Sequence, residues 1–253
     1  MIPSSIEWLN NNQGVLSVIL FIITIGLGWA SGIFRTLRQK PKMKISLLPG
    51  PTFCCTYLIG EKHGKYDVHR TGIALYLHIA NIGSAPSSIE RVSIGYHWNI
   101  TPFSIQWLKY RIGWFWLHDQ TAALMDFQAK IGENLKIYPF LTQKSILSGE
   151  SAETFLEVGR STNGAVYFEQ SDSWGACFPV VTDNKVKLQV RVTDVFSNKH
   201  QATFEVPAVS FEEARKYNPS FGKTLADLHG KPLPVDILPA AESYCHEAAN
   251  PRI

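Results

Sequence analysis

From residue 15 to residue 34 the chain carries no charge, and VLSVILFIITIGLGWASGIF is twenty residues of almost unbroken hydrophobicity. A helix of that length rises about 1.5 Å per residue and covers roughly 30 Å, the hydrocarbon thickness of a bilayer. The core helix of a soluble protein is usually shorter and keeps a polar face, which this run lacks. The pattern predicts one membrane-spanning helix, with Trp8 and Trp29 near its ends, where an indole suits the headgroup level.

Beyond residue 44 the periodicity changes to two. Ile73, Leu75, Leu77 and Ile79 alternate with Ala74, Tyr76 and His78, as expected of a half-buried strand. Asn81-Ile82-Gly83-Ser84-Ala85-Pro86 breaks it as a turn, and Val92, Ile94, Tyr96 and Trp98 resume on one face. Val186, Leu188, Val190 and Val192 alternate with Lys187, Gln189, Arg191 and Thr193, after which a turn at 194–198 leads to Ala202, Phe204 and Val206. Further strands are expected at 43–48, 52–59, 135–140, 152–158 and 165–169. Many short strands without a βαβ rhythm predict a mainly β chain folded as an antiparallel two-sheet sandwich.

Two stretches depart from this pattern. Residues 103–134 read as an inserted helical pair, because FSIQWLKYRIGWFWLH is strongly apolar and Leu124, Phe127 and Ile131 follow at helical spacing. Ser210 and Glu213 make a capping box for FEEARKY, which Asn218-Pro219 ends, so a short C-terminal helix is expected there. The resulting divisions are an N-terminal stub at 1–14, the span at 15–34, a linker at 35–44, the sandwich at 45–217 and an extended tail at 218–253.

Charge gives these divisions a direction. The net charge of +3 hides a concentration: Arg35, Arg38, Lys40, Lys42 and Lys44 follow the span, whereas residues 1–14 hold no Lys or Arg. From residue 45 onward 19 basic residues face 20 acidic ones, so a general nucleic-acid footprint is absent. A cleaved signal peptide has the reverse flanks, and the positive-inside rule puts the N-terminus outside and the sandwich in the cytoplasm of a cell with this protein in its inner membrane. The five basic residues would also attract anionic lipid headgroups. Cys54, Cys55, Cys177 and Cys245 should then be thiols, and the acceptor triplet Asn99-Ile100-Thr101 should stay unglycosylated. Thr24, Gly28 and Gly32 recur every four residues, a stripe of small side chains on which two copies of the helix would pack into a homo-oligomer.

Catalytic patterns are missing. Gly222-Lys223-Thr224 resembles the end of a phosphate loop, but Tyr217 stands where the leading glycine is required, and GxSxG, HExxH, CxxC and GxGxxG do not occur. His63 and His69 near Cys54 and Cys55 make a poor metal set, because neighbouring residues of a strand point to opposite faces. His118-Asp119 offers a base beside a carboxylate without a nucleophile. The sequence therefore predicts neither enzyme, cofactor nor metal site.

What stands out is a cluster of rings. Trp107, Tyr110, Trp114, Phe115 and Trp116 fall within ten residues, with Lys109, Arg111 and His118 among them. Such a segment serves as a buried covering layer, as a bilayer-docking surface, or as a pocket or partner surface.

Residues 72–98, with their strand, NxG turn and strand, followed by VKLQVRVTDVFSNKHQATFEV, resemble immunoglobulin-like sandwiches of bacterial membrane-anchored proteins. The cysteine pair flanking a central Trp found in antibody domains is missing. The layout of one helix and a cytoplasmic domain also resembles bacterial antiviral effectors that answer nucleotide signals. The leading expectation is a non-enzymatic, membrane-anchored binding or sensor module with a cytoplasmic protein or small nucleotide as ligand. The alternative is an oligomerising effector that disrupts the membrane when such a nucleotide binds.

Overall fold

The computed structural model describes residues 8, 11–32, 39–100, 102–145, 147, 149 and 151–223. Helix α1, Gln13–Ala30, has no buried residue and is long and apolar enough to cross a membrane. Its internal hydroxyls satisfy themselves: Thr24 Oγ1 donates to the Leu20 carbonyl at 2.7 Å and Ser17 Oγ to Gln13 at 2.9 Å. The helix stops four residues before the expected end. Gly32 adopts φ +77°, a left-handed conformation that suits a glycine just past a helix terminus, so it closes the helix instead of extending the small-residue stripe. Only Thr24 and Gly28 of that stripe lie on helical backbone.

The remainder is mainly β. Strand β3, Tyr66–Asn81, is the spine of a four-stranded sheet: β9, Ser161–Trp174, pairs along one edge, while β1, Met43–Leu47, and β2, Phe53–His63, share the other. The second sheet is built on β4, Ser87–Tyr96, β11, Lys185–Asp194, and β12, Lys199–Pro207. Short strands finish its edges: β5, Phe115–Leu117, β8, Phe155–Leu156, and β10, Val181–Thr182. Every strand pair in both sheets is antiparallel.

One core fills the space between the sheets, where Ile73, Leu75, Leu77 and Ile79 of β3 meet Val92, Ile94 and Tyr96 of β4 and the alternate valines of β11. A second, aromatic core covers the outer face of the first sheet, with Phe53, Tyr57, Phe127, Phe140, Tyr167, Phe211 and Phe221 in it. The alternation expected of β3 is present, with Ile73, Leu75, Leu77 and Ile79 fully buried and Tyr76 and His78 half-buried, except that Ala74 is also fully buried. Cys54 and Cys55 point into different cores, as strand geometry requires, and burial raises both thiol pKa values, Cys55 to about 12.

The second core is closed by elements that sequence pattern read unevenly. The expected N-cap is present, with Ser210 Oγ accepting from the Glu213 N–H at 3.2 Å at the start of α3, Phe211–Tyr217. The helical pair over 103–134 is corrected: helix covers 105–112, Phe115–Leu117 is strand β5, and β6, Phe127–Ile131, forms a hairpin turned by Gly132 at φ +62° with β7, Asn134–Tyr138, which lies where a strand was expected. Phe127 is buried because it faces the aromatic core, and Ile131 is exposed, so their helical spacing was coincidental. Past α3 the chain stays packed as far as Phe221, whose ring sits over Gly72 where a Cβ would come within 2.6 Å.

The linker meets the sandwich as a strand extension. Ile82 and Ser84 donate to the carbonyls of Lys42 and Lys40 at 2.8 and 3.0 Å, and Lys40 donates back to Ser84 Oγ at 3.2 Å. Gly83 is indispensable here, since a Cβ would lie 2.3 Å from the Lys42 nitrogen. Lys44 already lies in β1, paired with Ala80, while Arg35 and Arg38 lie outside the described residues.

Candidate functional site

Register puts the ring cluster at the end of the sandwich opposite the linker. Strand β4 starts beside the linker turn and runs ten residues, about 33 Å, before the inserted segment leaves it. There Ser104 caps a single helical turn, α2, Ile105–Trp107, its Oγ accepting from the Trp107 N–H at 2.9 Å. The turn continues as a π-helical stretch, Leu108–Ile112, which closes when Gly113 N–H donates to the Leu108 carbonyl at 3.2 Å. Gly113 has no room for a side chain, its Cβ position being 2.2 Å from the Lys109 carbonyl oxygen.

Tyr110 faces inward. It stacks on Trp98 with centroids 4.4 Å apart, and Trp98 in turn lies 4.4 Å from Phe115. The opposite side of the cap is bare: Phe103 is 96% and Ile105 89% exposed, and Leu108 and Ile112 are exposed with them. Phe103 also holds φ +70°, an unfavourable region for a bulky residue. Lys109 sits over the Tyr110 ring at 4.8 Å, and Trp107, half-buried, lies beside Phe103.

Strand β5 distributes the remaining rings. Phe115 and Leu117 pack inward, so Trp114, Trp116 and His118 project from the outer face of the second sheet. Trp114 packs against His97 with centroids 4.0 Å apart and the rings tilted by 36°. Trp116 lies flat on Gly95, where a Cβ would come within 3.1 Å of the indole. Arg191 covers that indole at 3.7 Å, and with the Gln201 amide turned so that its oxygen faces the guanidinium, Gln201 accepts from Arg191 at 2.8 and 3.1 Å. Exposed His118 is 6.5 Å from Trp116.

Positive charge gathers where the cap meets this face. Arg111 buries its Nη1 with no hydrogen-bond partner and forms no ion pair among the described residues. Burial lowers the pKa of His97; its hydrogen bond to the Gly113 carbonyl opposes the shift, and the charges of Lys187 and Arg111 reinforce it. The His97 ring is therefore neutral at physiological pH, flanked by two cations. Two cations, one of them with an unsatisfied guanidinium nitrogen, are thus brought to the ring pair of His97 and Trp114.

The sequence-predicted residues thus separate into three settings. Tyr110 belongs to the inner ring cluster; Trp107 and Lys109 belong to the cap; Arg111, Trp114, Trp116 and His118 border the outer face. Sequence reasoning missed Gly95, His97, Lys187, Arg191 and Gln201, which complete that face, and the bare quartet of Phe103, Ile105, Leu108 and Ile112. Lys187 and Arg191 were visible as the solvated side of a strand, but nothing local signalled the ring that Arg191 covers.

A second recess, of about 390 Å³, opens over the aromatic core beside Thr121, Leu124, Ser220, Phe221 and Lys223. At its wall Tyr57 and Tyr167 donate to the two carboxylate oxygens of Glu169 at 3.0 and 3.1 Å, and Arg70 bridges Glu169 and Asp172. Burial, then the Glu169 charge, raise both tyrosine pKa values. The carboxylate is saturated by its neighbours, which suits a structural brace. His69 is buried, and His63 stacks on Trp174 at 4.1 Å. Among the described residues no three His, Cys, Asp or Glu side chains come together as a metal site would need. No protein-family model matches the chain, and no curated protein matches it in sequence.

Proposed function

We propose that this chain is a non-enzymatic binding module, anchored by α1 in the inner membrane with its sandwich in the cytoplasm, that recognises an anionic ligand at the far end of the second sheet. One observation carries the reading: Arg111 keeps a buried guanidinium nitrogen unpartnered beside Lys187 and the His97–Trp114 ring pair. An unpaired buried donor costs about 1–3 kcal/mol, which a bound anion would recover. The flat rings favour a ligand with a planar group, as in a small nucleotide, and acidic side chains of a protein partner share the anionic chemistry. The two antiparallel sheets support a variant of the immunoglobulin-like arrangement, bridged across the core by the Tyr96 hydroxyl donating to Gln170.

The test is thermal unfolding of the full chain in detergent with a nucleoside monophosphate, a cyclic dinucleotide or inorganic phosphate. A ligand at one hundred times its Kd stabilises the fold by about 2.7 kcal/mol. Replacing Arg111 and Lys187 with Ala should erase that gain, and a gain that survives both substitutions would sink the site.

The bare cap favours a second reading, in which ligand binding next to it drives assembly and α1 helices pack along Thr24 and Gly28 until they perturb the bilayer. Its signature is a rise in detergent-complex mass with nucleotide, together with dye leakage from liposomes carrying the protein.

A further inference from the structure

We propose that the linker end of the sandwich docks directly on the anionic leaflet, inserting three apolar loop tips between headgroups. The proposal rests on α1 being a membrane span. It does not depend on what binds at the far end.

Strand register gathers the tips at one pole. Met43 pairs with Asn81, Ala80 with Ser161, Ser87 with Leu156 and Ile89 with Asp194, so the turns after β3, β8 and β11 all surround the point where the linker enters. Two main-chain bonds tie them together: Gly159 N–H donates to the Asn81 carbonyl at 2.8 Å and Val195 N–H to Ser88 at 3.2 Å. Each turn offers a large apolar side chain to solvent, Ile82 on the first, Val158 on the second, and Val195 with Phe196 on the third, Phe196 being 64% exposed. Isolated exposed apolar residues are ordinary, but convergence of all three turns on one pole marks an interaction surface.

The tips are held rigidly. Asp194, fully buried, accepts from the backbone N–H groups of Phe196 and Asn198 at 3.0 and 2.9 Å and from His200 Nε2 at 3.2 Å, while His200 Nδ1 accepts from the Met43 N–H at 3.2 Å. Asn81, also buried, accepts at Oδ1 from Lys42 and Gly83 and donates through Nδ2 to Ala85 and Leu156.

Chain length keeps this pole close to the leaflet. Nine residues separate the end of α1 at Ala30 from the first linker bond at Lys40, and even fully extended they reach only about 30 Å. Charge agrees with the leaflet: Lys40, Lys42, Arg160 and Lys199 are exposed around the tips, against Glu90 and Glu157, and Glu157 is already paired with Arg160. The bare cap at the far end lies a full strand length away, which leaves it to a partner in solution.

The test uses the full chain in lipid nanodiscs of phosphatidylcholine, with or without phosphatidylglycerol. A polarity-sensitive fluorophore is attached at Phe196→Cys, Val158→Cys or, as a control, Phe103→Cys, after replacing Cys177 and Cys245 with Ser. Docking predicts blue-shifted, brighter emission at positions 196 and 158 in anionic discs, weakened by salt and by Lys40→Glu with Lys199→Glu, and a water-like probe at 103. Water-like emission at 196 and 158 in a chain retained by the disc overturns the proposal, as does a shift at 103 alone. A chain that leaves the disc on a sizing column overturns the span, and docking falls with it.

Discussion

The two ends of the sandwich expose apolar side chains in opposite ways. At the linker end single residues stand on turns locked by buried Asp194 and Asn81; at the far end one side of a helical turn is bare, and Arg111 Nη1 beside it is buried without a hydrogen-bond partner among the described residues. Rigid loops with isolated apolar tips suit a surface that is present throughout the life of the protein, such as a membrane. A bare cap beside an unsatisfied cation suits an encounter that comes and goes. The contrast teaches that apolar exposure alone does not name a partner, whereas how firmly the exposed residues are held helps to do so.

The strongest way to break this comparison is to untie the linker end. Asp194→Ala should cost about 3 kcal/mol, because it strands several buried donors at once, and thermal melting in detergent would register it. Burial alone would raise the Asp194 pKa, but hydrogen bonds from Asn198, His200 and Phe196 hold it below the ordinary value. The charged carboxylate therefore stabilises the fold above the usual aspartate range, and this contribution is lost as pH falls through its lowered value. Asp194→Asn should flatten that acid limb.

Gly95→Val should cost about 2 kcal/mol, since the added side chain must lift Trp116 from the sheet, and red-shifted Trp emission would report the movement. Arg191→Ala removes the cation over that indole and should cost about 1 kcal/mol. The smallest effect belongs to the bare cap: Phe103→Ser, Ile105→Ser and Leu108→Ser should each change stability by less than about 0.5 kcal/mol. A loss of several kcal/mol at any of these three would mean that the cap is covered in the working protein, and the contrast between the ends would collapse.

Legibility in the sequence followed the range of the interactions. The alternation along β11 and the N-cap of α3 were readable because their causes lie within a few residues. Strand β6 was misread because Phe127 and Ile131 fell by chance at helical spacing, and burial, which decided the matter, is a long-range property; β7 lies where a strand was expected. Gly32 counted as part of a stripe because spacing cannot distinguish a packing glycine from a terminating one. The site was half visible: its rings are contiguous, but Arg191 meets Trp116 across seventy-five residues of chain.

The strand-like seam between residues 40–42 and the turn at 82–84 has a consequence for crowding. It takes up the slack of the linker, leaving each sandwich on a leash of about 30 Å. Two copies whose membrane helices pack 8–10 Å apart, a typical helix spacing, would confine their sandwiches within roughly 70 Å of one another. Such tethering gives an effective concentration on the order of millimolar. Contacts between caps far too weak to detect among free domains would then be nearly saturated, and the length of the leash, more than the strength of any single contact, would set the threshold for assembly.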